Sequence, residues 1–210
     1  MRLQNPFSAI NSSNLEAQVL YVLTRAEARF SAQEIHRLLP EGGSNQGTRN
    51  ALQRLVQHGI VLSEPIGNQT VYIFNRQHLL ADALLNIAQA KRNFLSALHG
   101  MISAWQVQPL TVQLFGSAAR NEMAADSDID IFLGWPDDAD ENEIDARSAE
   151  LTHQASLWTG NDVRLLQYAA SEVTPSAIFT EIMRDGLNVA GDPNWLRRHL
   201  RKYKSNGNAA

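Results

Sequence analysis

Asp128 and Asp130 lie one residue apart in "DIDIFL", a run otherwise made of Ile, Phe and Leu. Side chains alternate along a strand, so both acids share one face while Ile129, Ile131 and Leu133 share the other. One face can enter a core while the acids point into a cleft. Two carboxylates held this close repel each other, and each resists desolvation. A divalent cation relieves both costs, and Mg²⁺ suits the pair because it prefers carboxylate oxygens and waters. Upstream, Gly116-Ser117 follows the apolar run 111–115 and opens a turn or short helix. Backbone amides there, with the Ser117 hydroxyl, can hold phosphate oxygens. A phosphate cradle beside a metal-binding acid pair is the equipment of phosphoryl or nucleotidyl transfer.

The surrounding pattern must position these groups. From residue 110 onward strands and helices alternate: strand 111–115, turn, strand 128–134, helix 141–158, strand 162–168, helix 173–185, a short strand 187–190 and a helix 193–203. This is an α/β pattern. Before it, Leu80, Leu84, Ile87, Leu95, Leu98, Ile102 and Trp105 recur at helical spacing over 77–106 and Pro109 ends the run. That predicts one long connecting helix whose stripe packs on a neighbour or on a second subunit.

The first 76 residues read differently. Leu15, Val19, Leu20, Val22, Leu23 and Ala26 set a first helix over 14–28. "SAQE" at 31–34 is a capping-box pattern, in which Ser31 accepts from the Glu34 amide while Glu34 reaches back. A third helix starts at Ser44 or Asn45 and stops near His58-Gly59. "IVLSEPIGNQTVYIFN" then predicts two strands around a Gly67-Asn68 turn.

Composition narrows the setting. The 210 residues allow one large domain or two small ones, and 44% hydrophobic with 19% charged content is ordinary for a globular protein. With no cysteine, disulfides and thiolate metal sites are excluded. No apolar stretch reaches the roughly 18 residues of a membrane span, and no secretory block opens the chain, so a cytoplasmic location and no membrane partner are expected. Residues 1–80 hold seven bases and five acids, for a charge of +2, and the remainder holds eleven bases and seventeen acids, for −6. The acidic stretch 137–145 reads as a solvated helix start. The six histidines show no metal-ligand spacing, and the four tryptophans read as packing residues. "RRHLRKYK" at 197–204 reads as a solvated helix face, and "SNGNAA" as a disordered tail.

Two stretches resemble known families. "SNQGTRNALQRLVQHGIV" resembles the recognition helix and following turn of winged helix-turn-helix DNA-binding domains, and the element order over 12–75 agrees. Ala51, Leu52, Leu55 and Val56 form the inner face. Gln46, Thr48, Arg49, Asn50 and Gln53 form the outer face expected to reach base edges and phosphates of duplex DNA. The hairpin tip Ile66–Thr70 would be the wing. "FGSAARNEMAADSDIDIFL" resembles the signature of polymerase-β-like nucleotidyltransferases of the minimal bacterial type, over about residues 110–192. Gly116, Ser117, Arg120, Glu122, Asp126, Ser127, Asp128 and Asp130 match that pattern, whereas Ala118 and Asn121 depart from it.

The second resemblance implies an α+β or α/β fold with a mixed sheet and flanking helices, and a third carboxylate on the neighbouring strand, for which Asp162 is the candidate. It implies Mg²⁺ (two ions) bridged by Asp128 and Asp130, with Asp162 at the metal near the attacking oxygen. Gly116, Ser117 and Arg120 would bind the NTP, expected to be ATP. The expected domains are 1–76 winged helix, 77–109 connecting helix, 110–204 nucleotidyltransferase and 205–210 tail. The expected reaction is transfer of NMP from NTP to an acceptor hydroxyl on a protein, RNA or small molecule. Because little chain remains for an acceptor domain, a macromolecular acceptor or a homodimer is favoured. The alternative is a transcription regulator whose nucleotidyltransferase-like domain only senses nucleotide.

Overall fold

The computed structural model describes residues 1–10, 14–124 and 126–206. The chain divides into two compact units, residues 1–91 and 92–210.

The first unit opens with a 3₁₀ turn, Pro6–Ala9, followed by α1 (Asn14–Arg25), β1 (Phe30–Ser31), α2 (Ala32–Arg37) and α3 (Asn45–Gln57). A hairpin of β2 (Val61–Ile66) and β3 (Gln69–Phe74) comes next, and α4 (Ala81–Ala88) completes the unit. The two-residue turn needs Gly67, whose φ of +58° is unfavourable for side chains with a Cβ. The short β1 pairs with β3, so the sheet has three strands in the order β1-β3-β2, all antiparallel. The sequence did not announce β1, because two residues are too few to show a period. The capping box at α2 forms as expected: Ser31 Oγ accepts from the Glu34 amide, and Glu34 accepts from the Ser31 amide at 2.7 Å. Ser44 caps α3 by accepting from the Gly47 amide at 3.0 Å. Phe7, Leu20, Leu23, Ile35, Leu52, Leu55 and Phe74 fill the core between these elements.

The single helix expected over 77–106 is instead two. α4 ends at Ala88, Gln89 leaves helical geometry, and α5 runs Ala90–Ser103. No glycine or proline marks the break, which accounts for its invisibility in a periodicity reading. Leu84, Leu85 and Ile87 of α4 pack on the first core. On α5, Phe94 meets Trp158 edge-on at 6.4 Å, and His99 is hydrogen-bonded to the Val189 carbonyl at 2.8 Å, within the second unit.

The second unit continues with β4 (Thr111–Phe115), α6 (Gly116–Arg120), β5 (Ile129–Trp135), α7 (Glu141–Thr159) and β6 (Val163–Ala169). A 3₁₀ turn at Ala170–Glu172, α8 (Ala177–Asp185), β7 (Leu187–Gly191) and α9 (Trp195–Asn206) follow. The sheet order is β6-β5-β4-β7. β4 is antiparallel to both of its neighbours, and β5 runs parallel to β6 across the α7 crossover. This is the mixed sheet with flanking helices that the nucleotidyltransferase resemblance implies.

Ile129, Ile131, Phe132 and Leu133 are fully buried, so β5 is covered on both faces beyond its first residues, as its continuous apolar run requires. Phe132 packs with Val173, Phe179, Ile182, Leu196 and Leu200. At the start of α7, Asp140 accepts from the Glu143 amide at 3.0 Å, which confirms the acidic stretch as a helix start. Trp105 and Trp135 stack at 6.0 Å, a packing role. Residues 205 and 206 extend α9 rather than opening a tail, and 207–210 lie outside the described residues. Among the described residues no helix is long and apolar enough to cross a membrane.

Candidate active site

β4 delivers the chain to Gly116, where φ is +67° and α6 begins. A Cβ there would lie 2.5 Å from Asp130 Oδ2, so the carboxylate would have to turn aside. The backbone of the Gly-Ser turn is therefore pressed directly onto the second acid of the pair. α6 ends after five residues at Asn121, which takes a left-handed φ of 62°. A glycine suits that conformation best and asparagine is among the few residues that tolerate it, so this departure from the resembled pattern keeps the turn.

The return into β5 is pinned twice. Asn161 Nδ2 donates to the Ser127 carbonyl at 2.9 Å, and the Ile129 amide donates to the Asp162 carbonyl at 2.8 Å. These bonds fix the parallel register that puts Asp130 opposite Arg164, while β4 puts Phe115 on the other side of Asp130. Asp128 and Asp130 are both half-buried. Burial, and then the neighbouring Asp128 charge, push the Asp130 carboxyl above its ordinary range, against the opposing pull of Arg164 and Arg120.

The expected third carboxylate is not brought into this group. Asp162 is exposed, one residue before β6, and its backbone carbonyl accepts from the Ile129 amide of β5. Among the described residues, no three His, Cys, Asp or Glu side chains gather where they could hold a metal ion. The side chain that does reach the acid pair is one the sequence reading passed over, Arg164, whose Nη2 lies 2.8 Å from Asp128 Oδ2. A base two residues beyond Asp162 on a predicted strand was the available signal. Only the register of β5 and β6 gives it meaning.

Mg²⁺ is commonly held by one or two carboxylates, with water and substrate phosphates completing its shell. Asp128 and Asp130 fit one such ion. The expected set of three carboxylates around two ions does not fit, because Arg164 already brings positive charge to Asp128. Arg120, expected at the nucleotide, donates to Glu122 Oε2 at 2.8 Å. Ser117 is half-buried at the start of α6.

In the first unit, Gln46, Arg49, Asn50 and Gln53 are exposed on α3, and Gln46 donates to Asn50 Oδ1 at 2.9 Å. Thr48 is a correction to the expected outer face. It is completely buried, its hydroxyl donates to the Ser44 carbonyl at 3.1 Å, and it meets His36 Nδ1 at 3.3 Å. One position along a helix is a rotation of about 100°, enough to move Thr48 inward while Arg49 points out. Arg49 and Gln53 line an open cavity of about 400 Å³ with Gln33, Tyr72 and the hairpin residues Asn68, Gln69 and Thr70.

Residues 102–190 match the sequence model of the family described as Polymerase beta, Nucleotidyltransferase. No curated protein matches the chain. Among solved structures, the chain is similar to a toxin–antitoxin pair with AMP-PNP, at 17% identity over 55% of this chain and 87% of that one, with a TM-score of 0.41. It is similar to a tri-AMPylated Shewanella oneidensis HEPN toxin in complex with MNT antitoxin, at 16% identity over 57% and 87%, with a TM-score of 0.39. A third likeness is to the DNA recognition and protein interaction domains of HOP2, at 24% identity over 29% and 98%, with a TM-score of 0.28. Over residues 102–190 the chain carries a polymerase-β-type nucleotidyltransferase domain, and nucleotidyl transfer is its class of enzymatic activity.

Proposed function

We propose that the chain transfers NMP from an NTP, ATP being the expected donor, to a hydroxyl of a macromolecular acceptor. The observation that supports this reading is the closeness of Gly116 to Asp130, where an added Cβ would fall 2.5 Å from the carboxylate, so the Gly-Ser turn borders the acid pair. Gly116 and Ser117 would present backbone amides and a hydroxyl to the terminal phosphates. Asp128 and Asp130 would hold Mg²⁺, which when bound neutralises charge on the phosphoryl oxygens. Both carboxylates are half-buried at the start of β5, so substrate oxygens need not enter the core to reach them.

The first unit, in this reading, is a winged helix-turn-helix that binds duplex DNA. Arg49 and Gln53, one helical turn apart and facing the same cavity as the hairpin tip, support it. A second reading draws on the ion pair of Arg164 with Asp128: a domain that binds nucleotide without turning it over. The separating experiment incubates the purified chain with each α-labelled NTP, Mg²⁺ and cell lysate. A labelled acceptor that disappears with Asp130→Ala supports transfer. Saturable nucleotide binding with no labelled product under any NTP supports the sensor.

A further inference from the structure

Arg164 forms its ion pair with Asp128 from an exposed position, with 72% of its side chain accessible against 23% for Asp128. The guanidinium is planar, permanently charged and carries five N–H donors. No other hydrogen bond or ion pair of this side chain is present among the described residues, so most of the donor fork remains unused. In register, Arg164 sits beside Asp130 on the parallel strand, while its guanidinium pairs with Asp128. The formal charge of the two carboxylates and the arginine is −1. One divalent ion brings it to +1. A second would bring it to +3 with only two carboxylates to share.

We propose that Arg164 is the built-in second cation of this site. It holds Asp128, limits the acid pair to one divalent ion, and offers its remaining N–H groups to an anionic oxygen of the nucleotide. This rests on the reading of Asp128 and Asp130 as the metal-holding pair. Fixed cations aimed at a transferring phosphoryl group do the same electrostatic work as a metal ion there.

The test counts Mn²⁺ bound to the full chain without nucleotide, by electron paramagnetic resonance and calorimetry. The wild type should take one ion, lost in Asp130→Asn. Arg164→Asp, which places a third carboxylate beside Asp130, should take two. Arg164→Gln should bind its single Mn²⁺ about tenfold more tightly, as expected when one competing charge leaves, and a non-hydrolysable NTP about tenfold more weakly. Two ions on the wild type, or an Arg164→Gln chain with unchanged Mn²⁺ and nucleotide affinities, would overturn the role of Arg164 and leave nucleotidyl transfer standing. Mn²⁺ binding undisturbed by Asp130→Asn, or absent from every protein, would instead remove the acid-pair reading and this inference with it. Arg164→Gln keeps the test decisive should Arg164→Asp fail to fold.

Discussion

Replacing Gly116 by alanine separates backbone strain from the contact that builds the site. Gly116 and Gly160 lie in the same unit and share nearly the same φ, +67° and +69°. A Cβ at Gly160 meets nothing within 4 Å, whereas one at Gly116 falls 2.5 Å from Asp130 Oδ2. Left-handed backbone costs an ordinary residue about 1–2 kcal/mol, so both substitutions should lose that much. At Gly116 the Asp130 carboxylate must also rotate away from the new methyl group, adding about 0.5–1.5 kcal/mol for a side chain forced off its rotamer. For a unit of this size each kcal/mol lowers Tm by roughly 3–6 °C. Gly116→Ala should therefore melt a few degrees below Gly160→Ala. In an Asp130→Ala background the two should melt alike, because the atom in the way has gone, giving a coupling of about 1 kcal/mol in the cycle. Transfer of labelled NMP should fall far more for Gly116→Ala than for Gly160→Ala. Equal Tm losses at both glycines, with and without Asp130, would refute the contact as the basis of the site.

Asp128→Ala and Asp130→Ala should each reduce labelled product by roughly a hundredfold or more while circular dichroism stays native, since each would remove a ligand of the Mg²⁺ that neutralises charge on the phosphoryl oxygens. The folded state raises the Asp130 pKa through burial and then through Asp128, so the native protein holds this proton more readily than the unfolded chain. Stability from this group is thus present below its unfolded pKa and lost as pH rises through the folded one. Asp130→Asn should flatten that decline in melts across the acidic range and melt above the wild type at neutral pH. If Arg49 reads a guanine, Arg49→Ala should weaken duplex binding by about 1–3 kcal/mol at one base position in a fluorescence-anisotropy panel. A uniform loss over all sequences would assign it to phosphate, and an unmodified chain that ignores DNA at low salt would remove the DNA reading. Ser31→Ala should lower the stability of the first unit by about 1 kcal/mol in urea unfolding, through loss of the cap on α2.

Local chemistry was legible in the sequence wherever one short segment contained the whole cause. The Ser31–Glu34 box, the Ser44 cap, the Gly67 turn and the alternation that buries Ile129 and Ile131 all depend on neighbours a few residues away. Features set by pairing at a distance were not. Thr48 shares a polar type with Arg49, but a single helical step decides which faces the core. Gln89 interrupts a helix without any breaker residue. Arg164 looked like one more strand residue, because its partner lies 36 positions earlier and only the β5–β6 register brings them together. The same distance bears on Asp162: strand order can be read from alternation, but not which residue of the next strand reaches the acids.

The carboxamide of Asn161, donating to the Ser127 carbonyl, has a consequence beyond tying down a loop. Pleated strands repeat every two residues, so a slip of β6 by one position would put Val163 or Leu165 beside Asp130 and turn Arg164 toward the opposite side of the sheet. A hydrocarbon would then replace a cation next to the acids, with the strand order unchanged. Asn161 thus works as a positional index. It spells out which residue of the edge strand is read at the site, in the way a sprocket tooth sets which frame of a film is projected. Lengthening or shortening the 19-residue α7 by a turn leaves that index in place, whereas inserting one residue between Asn161 and Arg164 rewrites the charge of the pocket.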